Sequence, residues 1–393
     1  MDNTNKKKHI LVVPSAQVMT KHYPLGGIFE FNQAKVLAEA GFKVGVISLN
    51  LESMRFLFSK NDSKDLEIIH GIPVFRSNKK IFSIVRLGRH TNYILKTVEA
   101  ECDKLFKKYV AKYGLPDLIH AHDPNYGAYY AYYLNQKHGI PYIVTWHSSN
   151  VYEEYNHKIS NIELETRVLK NATKVIAVSK AVAKALSKRY GLKDVHVGFN
   201  VLEPEFEYCK FPFSKKESDT FNFISIGSLD NNKNHALLIN SFSEAFKGRK
   251  FKLSIGGTGH LLAELNQLVI KLGMQEQVEF LGHLNREQVV NHLSLSDCLV
   301  LSSNHETFGV VLIEALSLGI PVISTRCGGA EDIVNESNGL LVEKMDLASM
   351  VKGMKDMVKM KNNFYSEELR QQTLNNFGSK AFVKDLTSIF PAC

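Results

Sequence analysis

The chain has 393 residues, of which 44% are hydrophobic and 22% charged, and 48 lysines and arginines against 40 acidic residues give it a formal net charge of +8. This length exceeds what one hydrophobic core usually serves, so two domains are expected, and the composition excludes a disordered chain. The five cysteines lie far apart, which excludes a zinc-binding cluster and favours reduced thiols in a cytoplasmic protein.

The first half of the chain alternates strand-like and helix-like segments. Lys6 to Lys8 precede an apolar run that stops at Pro14; this run is too short for a signal peptide and is typical of a first strand, HILVVPS. After Gly26 and Gly27, apolar residues recur at helical spacing. Further strands are predicted at KVGVIS, DLIHAH, IPYIVTWH and KVIAVS, with helices at 126–138 and 162–169. This alternation is typical of repeated βαβ units and a parallel sheet.

The second half repeats this alternation after a break. Residues 201–220 are irregular, mixed in charge and contain two prolines (LEPEFEYCKFPFSKKESDT follows Val201), so the linker is placed there. Strands are then predicted at FNFISIG, FKLSIGG, VEFLG, CLVLSS, PVIST and GLLV. We therefore expect an α/β protein with two tandem Rossmann-like, doubly wound parallel-sheet domains facing a cleft, with ligands at the carboxyl ends of the strands.

The segment from Glu306 to Glu314 carries the most specific signal. Glu306 follows a predicted buried strand, Gly309 opens a helix, and Glu314 lies about one and a half turns inside that helix. Unpaired N–H groups and the helix dipole suit a phosphate at such an N-terminus, so the two carboxylates would face the hydroxyls of a ribose and a sugar. Spacing alone equally allows a surface cap at Glu306 and a paired helix residue at Glu314.

The first domain offers weaker signals. Gly26 and Gly27 would let the backbone approach a phosphate or an acceptor, or would serve loop geometry alone. His120 and His122 alternate on one strand, so we expect only one to face the crevice, and the carboxyl end of the strand favours His122. His147 ends the next strand. The alternative interpretation of each histidine is a hydrogen-bonded core residue without a role in the site.

The segment 306–314 resembles the Glu-x7-Glu motif of the retaining glycosyltransferases of family 4, which have the GT-B fold. The flanks agree over nearly the whole chain, through the early Gly-Gly, DLIHAH, IPYIVTWH, KVIAVS, the IGS turn, SIGGTG, VEFLGHL and GIPVIST. The resemblance implies transfer of a sugar from a nucleotide-diphosphate sugar, with uridine favoured by family habit, in synthesis of a surface polysaccharide or glycolipid. It also implies a first domain of residues 1–203 that binds the acceptor and is joined by a C-terminal helix at about 375–393. The donor would bind in a second domain of residues 204–374.

Residue by residue, the resemblance implies a donor site around the two glutamates. Glu306 would bind the transferred sugar and Glu314 the ribose. Phe308, Gly309 and Val310 would offer backbone contacts. The remaining positions that it assigns to the donor are Gly27, Gly227, Ser228, Gly257 and Thr307, and those that it assigns to the acceptor are Gly26 and His147.

The resemblance also implies a catalytic set of His122, Lys233 and Glu306. Lys233 would neutralise the diphosphate leaving group, where negative charge develops. The family commonly has an arginine after the glycine of the IGS turn, but this chain has Ser228. Either diphosphate binding is then weaker or another cation helps, with Arg326 as a candidate.

Cofactor and partner expectations follow from what the sequence contains. No Asp-x-Asp occurs, so transfer is expected to need no metal and no cofactor besides the nucleotide sugar. The expected partners are that donor and a glycan or lipid-linked acceptor, and no nucleic acid. Basic and apolar residues mix between Arg76 and Lys96, which suits peripheral docking on an anionic inner membrane face and equally suits a solvated loop and helix face.

Three alternatives to a transferase remain open at this point. A glycosidase would use Glu306 and Glu314 as an acid and nucleophile pair, although the intervening phosphate-suited helix argues against hydrolysis. A nucleotide-sugar epimerase would bind the same donor without an acceptor. A non-catalytic nucleotide-sugar-binding partner subunit is compatible with Ser228.

Overall fold

The computed structural model describes residues 8–15, 18, 26–53, 65–81, 92–123, 126–152, 161–211 and 219–390. The chain divides into two compact units, one formed by residues 1–201 with 383–393 and the other by residues 202–382. Over the described residues, no helix is both long enough and apolar enough to cross a bilayer.

The first unit is built on a nearly parallel sheet. Its strands are β1 (His9–Val13), β2 (Lys43–Ser53), β3 (Leu66–Ile69), β4 (Ile72–Ile81), β5 (Leu118–His122), β6 (Tyr142–Trp146), β7 (Lys174–Ala177) and β8 (Val195–Val197). Its helices are α1 (Ile28–Glu39), α2 (Asn92–Tyr113), α3 (Tyr126–His138), α4 (Ile162–Lys170) and α5 (Lys180–Tyr190). The strand order is β3-β4-β2-β1-β5-β6-β7-β8, and within it only β3 runs antiparallel to its neighbour.

The strand order reverses at β1, which pairs with β2 on one side and β5 on the other. Every residue of β1 and of β5 is buried, as expected for strands of a parallel sheet that is covered on both faces. In such sheets ligands bind outside the carboxyl ends of the strands at this reversal. Ser15 follows β1 and His122 ends β5 at that place.

The edge of this sheet corrects one expectation. Arg76 lies in β4 with 3% of its side chain exposed; it donates to Glu67 Oε2 at 2.6 Å and to the Val18 carbonyl at 3.1 Å. Its charge is therefore paired inside the unit, and the prediction that Arg76 contributes to a membrane-docking surface is wrong. Residues 82–91, which include Arg86 and Arg89, lie outside the described residues, and Lys96 is exposed on α2.

The second unit is built on a second parallel sheet. Its strands are β9 (Phe221–Ile226), β10 (Phe251–Gly256), β11 (Val278–Gly282), β12 (Cys298–Leu301), β13 (Val322–Thr325) and β14 (Gly339–Val342). The helices that follow α5 are α6 (Pro204–Glu207), α7 (His235–Phe246), α8 (Leu262–Leu272), α9 (Arg286–Ser294), α10 (Val310–Ser317), α11 (Leu347–Met360), α12 (Ser366–Phe377) and α13 (Ser379–Ser388), the last of which spans the division between the units. The strand order is β11-β10-β9-β12-β13-β14.

The two doubly wound parallel sheets expected from the sequence are confirmed. In the second sheet, the order reverses between β9 and β12, which pair directly. Apolar side chains of the sheet and of α7, α8 and α11 form its core, where the rings of Phe223 and Phe246 stack at 5.6 Å. The turn after β9 and the loop after β12 therefore lie side by side at the ligand-binding end of this sheet.

Candidate active site

The turn after β9 fixes the backbone of Lys233. Asp230 accepts hydrogen bonds from the N–H groups of Asn232 at 2.9 Å and Lys233 at 3.0 Å, and from the Ser228 hydroxyl at 2.6 Å. Burial acts to raise the pKa of Asp230, but these hydrogen bonds outweigh it and lower that pKa. The side chain of Ser228 therefore serves the turn that presents the lysine.

Two glycines let the Lys233 side chain cross this turn closely. A Cβ on Gly227 would lie 3.3 Å from Lys233 Cδ and Cε, so the lysine stem passes directly over Gly227. Gly257, after β10, has a φ of 139°, and a Cβ there would lie 1.9 Å from the Gly227 carbonyl oxygen. Only glycine fits at position 257.

The loop after β12 brings Glu306 to Lys233. The Asn232 side chain donates to the His305 carbonyl at 3.0 Å and the Ser302 hydroxyl donates to the Lys233 carbonyl at 2.8 Å, so the two segments are held together. Lys233 Nζ then lies 2.5 Å from Glu306 Oε1, which also accepts from Ser303 Oγ at 2.6 Å. With 22% and 12% of their side chains exposed, the lysine and the glutamate remain within reach of a ligand.

The N-terminus of α10 follows at once. Its N-cap, Gly309, has a φ of 96° and supplies no side-chain cap, and a Cβ there would lie 3.0 Å from Leu312 Cδ1. The side chain of Phe308 is buried, edge-on to Phe377 at 5.8 Å. Phe308 thus offers only backbone atoms at this end of the helix, Val310 is half-buried, and the uncapped N–H groups suit a phosphate. Thr307, just before them, is half-buried.

Glu314, inside α10, is paired with an arginine that the sequence did not single out. Arg286 Nη2 lies 2.5 Å from Glu314 Oε1, and Arg286 Nε donates to Glu203 Oε2 at 2.6 Å. Burial raises the pKa of Glu314 while Arg286 acts to lower it, and burial raises the pKa of Glu203 to about 7. A signal was available: Arg286 is the first residue of α9, where a positive charge opposes the helix dipole.

Arg326, considered from the sequence as a substitute for the arginine that Ser228 replaces, has acidic neighbours. Its Nε lies 3.1 Å from Glu343 Oε1 and its Nη1 lies 3.7 Å from Glu331 Oε2, with 46% of the side chain exposed. Its charge is shared between those two carboxylates.

The first unit holds a contact between two histidines. His122 Nδ1 and His147 Nε2 are 3.0 Å apart, and the two rings stack at 5.2 Å. The ring of His120 lies 4.3 Å from that of His122 and bonds Thr145 Oγ1 at 2.8 Å. The expectation that only one histidine of β5 faces this side is wrong, because residues two apart in a strand share a face.

Burial lowers the pKa values of these histidines and so disfavours their charged forms. Desolvation lowers the pKa of His147, and that of His122 falls well below its usual value through desolvation and its histidine neighbours. In a hydrogen-bonded pair of neutral imidazoles one ring donates and the other accepts. His122 Nε2 has no partner among the described residues, and the Asn200 side chain interacts with His147 and acts to raise its pKa. Whichever tautomers are present, the two ring nitrogens outside the His122–His147 contact therefore comprise one donor and one acceptor.

Acidic side chains surround the histidine pair. Asp123, with a φ of 53°, accepts from the N–H groups of His147 at 2.7 Å and Ser148 at 3.0 Å, and burial raises its pKa to about 6. Glu30, in the first turn of α1, accepts from Ser15 Oγ at 2.5 Å, and burial raises its pKa. Sequence reasoning missed Glu30; a carboxylate just after the Gly26-Gly27 pair was the available signal.

The structure thus gathers most of the predicted residues into two groups. Those of the second unit surround the ends of β9, β10 and β12: Gly227, Ser228, Lys233, Gly257, Glu306, Thr307, Phe308, Gly309, Val310 and Glu314. In the first unit His122 contacts His147, and Gly27 is the left-handed N-cap of α1, directly after Gly26.

Comparisons with known families find two matches along the chain. The model described as "Glycosyltransferase Family 4" matches residues 31–206, and the model described as "Glycosyl transferases group 1" matches residues 210–377. Together they cover both of the α/β units.

Individual proteins are similar over most of their length. An uncharacterized glycosyltransferase of Methanocaldococcus jannaschii is 28% identical over 83% of this chain and 82% of its own. The putative teichuronic acid biosynthesis glycosyltransferase TuaC of Bacillus subtilis is 27% identical over 81% and 82%. Among solved structures, Anabaena HepE in complex with UDP superposes with a TM-score of 0.70 over 97% of this chain and 98% of its own, at 17% identity; this similarity shows a shared GT-B fold.

Proposed function

The chain belongs to the family-4, group 1 glycosyltransferases, which transfer a sugar from a nucleotide sugar to an acceptor, and from this premise we propose a UDP-hexose-dependent, retaining hexosyltransferase. Its product is part of a surface polysaccharide or glycolipid. The observation that carries the proposal is the Lys233–Glu306 pair beside the uncapped N-terminus of α10.

The donor binds in residues 204–374. The diphosphate lies at the N-terminus of α10 and draws Lys233 Nζ, because a diphosphate carries more negative charge than the single carboxylate of Glu306. Glu306 then turns to the hydroxyls of the sugar, and Glu314 binds the ribose. The UDP in the HepE complex supports uridine as the base.

The acceptor binds in residues 1–203, joined by about 375–393. The histidine pair supports this assignment, because the two ring nitrogens outside the His122–His147 contact offer one donor and one acceptor to a hydroxyl. His122 contacts the acceptor and His147 orients His122. The bond between the sugar and the diphosphate breaks, the acceptor oxygen attacks on the same face, and its proton passes to the leaving phosphate.

A surface-polysaccharide acceptor agrees with the similarity to TuaC, a putative teichuronic acid biosynthesis glycosyltransferase. The test begins with binding. A panel of UDP, GDP and ADP sugars is screened by thermal shift, and we expect a UDP-hexose to raise the melting temperature, since ligands that bind only the native state stabilise it.

Glu306→Gln separates this proposal from mere nucleotide binding. It keeps the shape and loses the charge that pairs with Lys233, so we expect UDP to bind while transfer falls about 10- to 100-fold, the effect of one hydrogen bond to a charged group. Unchanged transfer would exclude the role proposed for Glu306. Interconversion of the sugar in donor incubated alone would indicate an epimerase instead.

Two further expectations concern conditions. Transfer without a divalent cation is supported by the absence of Asp-x-Asp and by Lys233; loss of activity with a chelator and recovery with magnesium or manganese would contradict it.

Peripheral association with an anionic inner membrane face rests on the basic residues of 79–96. It predicts binding to phosphatidylglycerol vesicles at low salt, and absence of such binding would leave a cytoplasmic protein.

A further inference from the structure

Arg286 contacts two carboxylates and an aromatic ring, although the proposed function gives it no role. It is the first residue of α9, and its guanidinium lies 2.5 Å from Glu314 Oε1, 2.6 Å from Glu203 Oε2 and 5.1 Å from the centroid of the Phe206 ring. Glu203 and Glu314 are buried, with 4% of each side chain exposed. Two acidic side chains and one aromatic ring of the second unit thus converge on one cation.

These contacts use properties that only arginine has. Its planar fork reaches two carboxylates at once while its face stacks on a ring, which the point charge of lysine cannot do. The position is also locally unfavourable, because a positive charge at a helix N-terminus opposes the dipole. Residues that break a local rule are expected at functional or strained sites.

Only one of the two carboxylate oxygens of Glu314 is paired within the residues that the structure describes in this unit. Arg286 occupies Oε1, and no hydrogen bond to Oε2 is found within residues 161–211 and 219–390. We propose that Arg286 is a positioning residue for the donor: it holds Glu314 by Oε1 so that Oε2 accepts the ribose hydroxyls of a nucleoside diphosphate, and Glu203 holds Arg286 in place. This inference rests on the ribose role proposed above for Glu314.

The charges around Glu314 make the consequence measurable. From α6 and the residue before it, Glu205 and Glu203 add negative charge; from α9, Arg286 adds the positive charge that opposes burial. From α12, Arg370 binds the carbonyls of Ser317 and Phe206. Without Arg286, the two glutamates would favour the protonated form of Glu314, which is a poorer acceptor for a hydroxyl.

The experiment compares UDP binding by calorimetry in the full chain at two pH values. For Arg286→Met, the ratio of its Kd to that of the wild type should be about tenfold larger at about pH 6 than at about pH 8.5, because one pKa unit corresponds to a factor of ten. Arg286→Lys keeps the charge, so its ratio should change little with pH. A ratio for Arg286→Met that is equal at both pH values would overturn the inference.

Arg370→Met is the matched control, because Arg370 is also buried in the second unit but binds carbonyls. It should lower the melting temperature and leave the pH dependence of UDP binding unchanged; a shift as large as that of Arg286→Met would mean a merely structural role. If Arg286→Met does not fold, the double variant Arg286→Lys, Glu203→Gln replaces it. That variant keeps the positive charge beside Glu314, so its UDP Kd relative to the wild type should not depend on pH. A larger relative Kd at about pH 6 than at about pH 8.5 would contradict the inference.

Glu314→Gln distinguishes this inference from the proposed function. If it binds UDP as tightly as the wild type, the ribose role of Glu314 fails and the inference fails with it. If Glu314→Gln binds weakly but Arg286→Met does not, only the inference about Arg286 is wrong. If neither UDP, GDP nor ADP binds the wild type, both are wrong.

Discussion

The two units carry polar groups at equivalent ends of similar sheets, yet these groups differ in whether they carry charge. In the second unit, ion pairs predominate: Lys233 with Glu306, and Arg286 with Glu314 and Glu203. In the first unit, the contact is between His122 and His147, whose pKa values burial holds low. The same topology therefore supports a charged site in one unit and an uncharged histidine pair in the other.

This difference matches the chemistry of two ligands. A nucleoside diphosphate is an anion and needs cations that are already in place, whereas a sugar hydroxyl is neutral and needs one donor and one acceptor. The Lys233–Glu306 pair also gives a partly buried lysine a counter-charge in the absence of the donor proposed to bind there. Each prediction below tests whether the charges of the second unit and the neutrality of the first are what function uses.

Lys233→Ala should have the largest effect. Removing the cation proposed to neutralise the leaving diphosphate should lower kcat/KM about 100- to 1000-fold, the range for losing one preorganised electrostatic donor. Steady-state kinetics with the donor found by thermal shift measures it. Lys250→Ala is the control, since Lys250 is 77% exposed in the same unit. A loss below about tenfold would show that the diphosphate is neutralised elsewhere.

His122→Ala should come next. It removes the contact proposed to the acceptor and the partner of His147, so transfer should fall about 10- to 100-fold. UDP binding should stay unchanged, because the proposed diphosphate site lies in the other group of residues. The measurement is transfer rate beside UDP Kd by calorimetry. If UDP binding weakens as much as transfer, the division of roles between the two groups is wrong.

Salt should affect the two sides differently. The Kd for UDP should rise about three- to tenfold between about 0.05 and 0.5 M sodium chloride, because screening weakens attraction between the anion and Lys233. The acceptor KM should change by less than about twofold, since neutral hydrogen bonds are screened little. Equal salt dependence on both sides would remove the electrostatic contrast.

The smallest effect concerns stability of the first unit. Since burial holds the pKa of His122 below that of the unfolded chain, only the unfolded chain takes up a proton as pH falls below about 6.5. The free energy of unfolding should therefore fall with pH, by up to about 1.4 kcal/mol per pH unit for each such histidine.

His122→Gln should reduce that slope by one histidine. Urea unfolding at about pH 7 and about pH 5.5 can be followed by the fluorescence of Trp146, the single tryptophan, which is fully buried in this unit. The exposed His138 provides the control His138→Gln, which should keep the wild-type slope. An unchanged slope in His122→Gln would mean that His122 is not held neutral.

Many of the strands and helices could be predicted from the sequence, because their patterns lie within short segments of the chain. The alternation of buried apolar runs with helical spacing predicted most strands of both sheets and several of their helices, and the segment 306–314 predicted a glycine-capped turn and a helix directly after a strand. The β3–β4 hairpin was not predicted: its turn residues, His70 and Gly71, have φ values of 46° and 78°, and His-Gly is not among the dipeptides that typically signal a two-residue hairpin turn. The burial of Arg76 in β4 was missed with it.

The sequence by itself determined that Lys233 and Glu306 follow strands, that His122 ends a strand and that Glu314 lies inside a helix, because local spacing fixes local conformation. Only the tertiary structure decided their partners. Lys233 meets Glu306, Arg286 meets Glu203 and Glu314, and His122 meets His147, across 25 to 83 residues. These pairs depend on which strands and helices become neighbours, and that order is set by packing of the whole sheet rather than by any pattern along one segment.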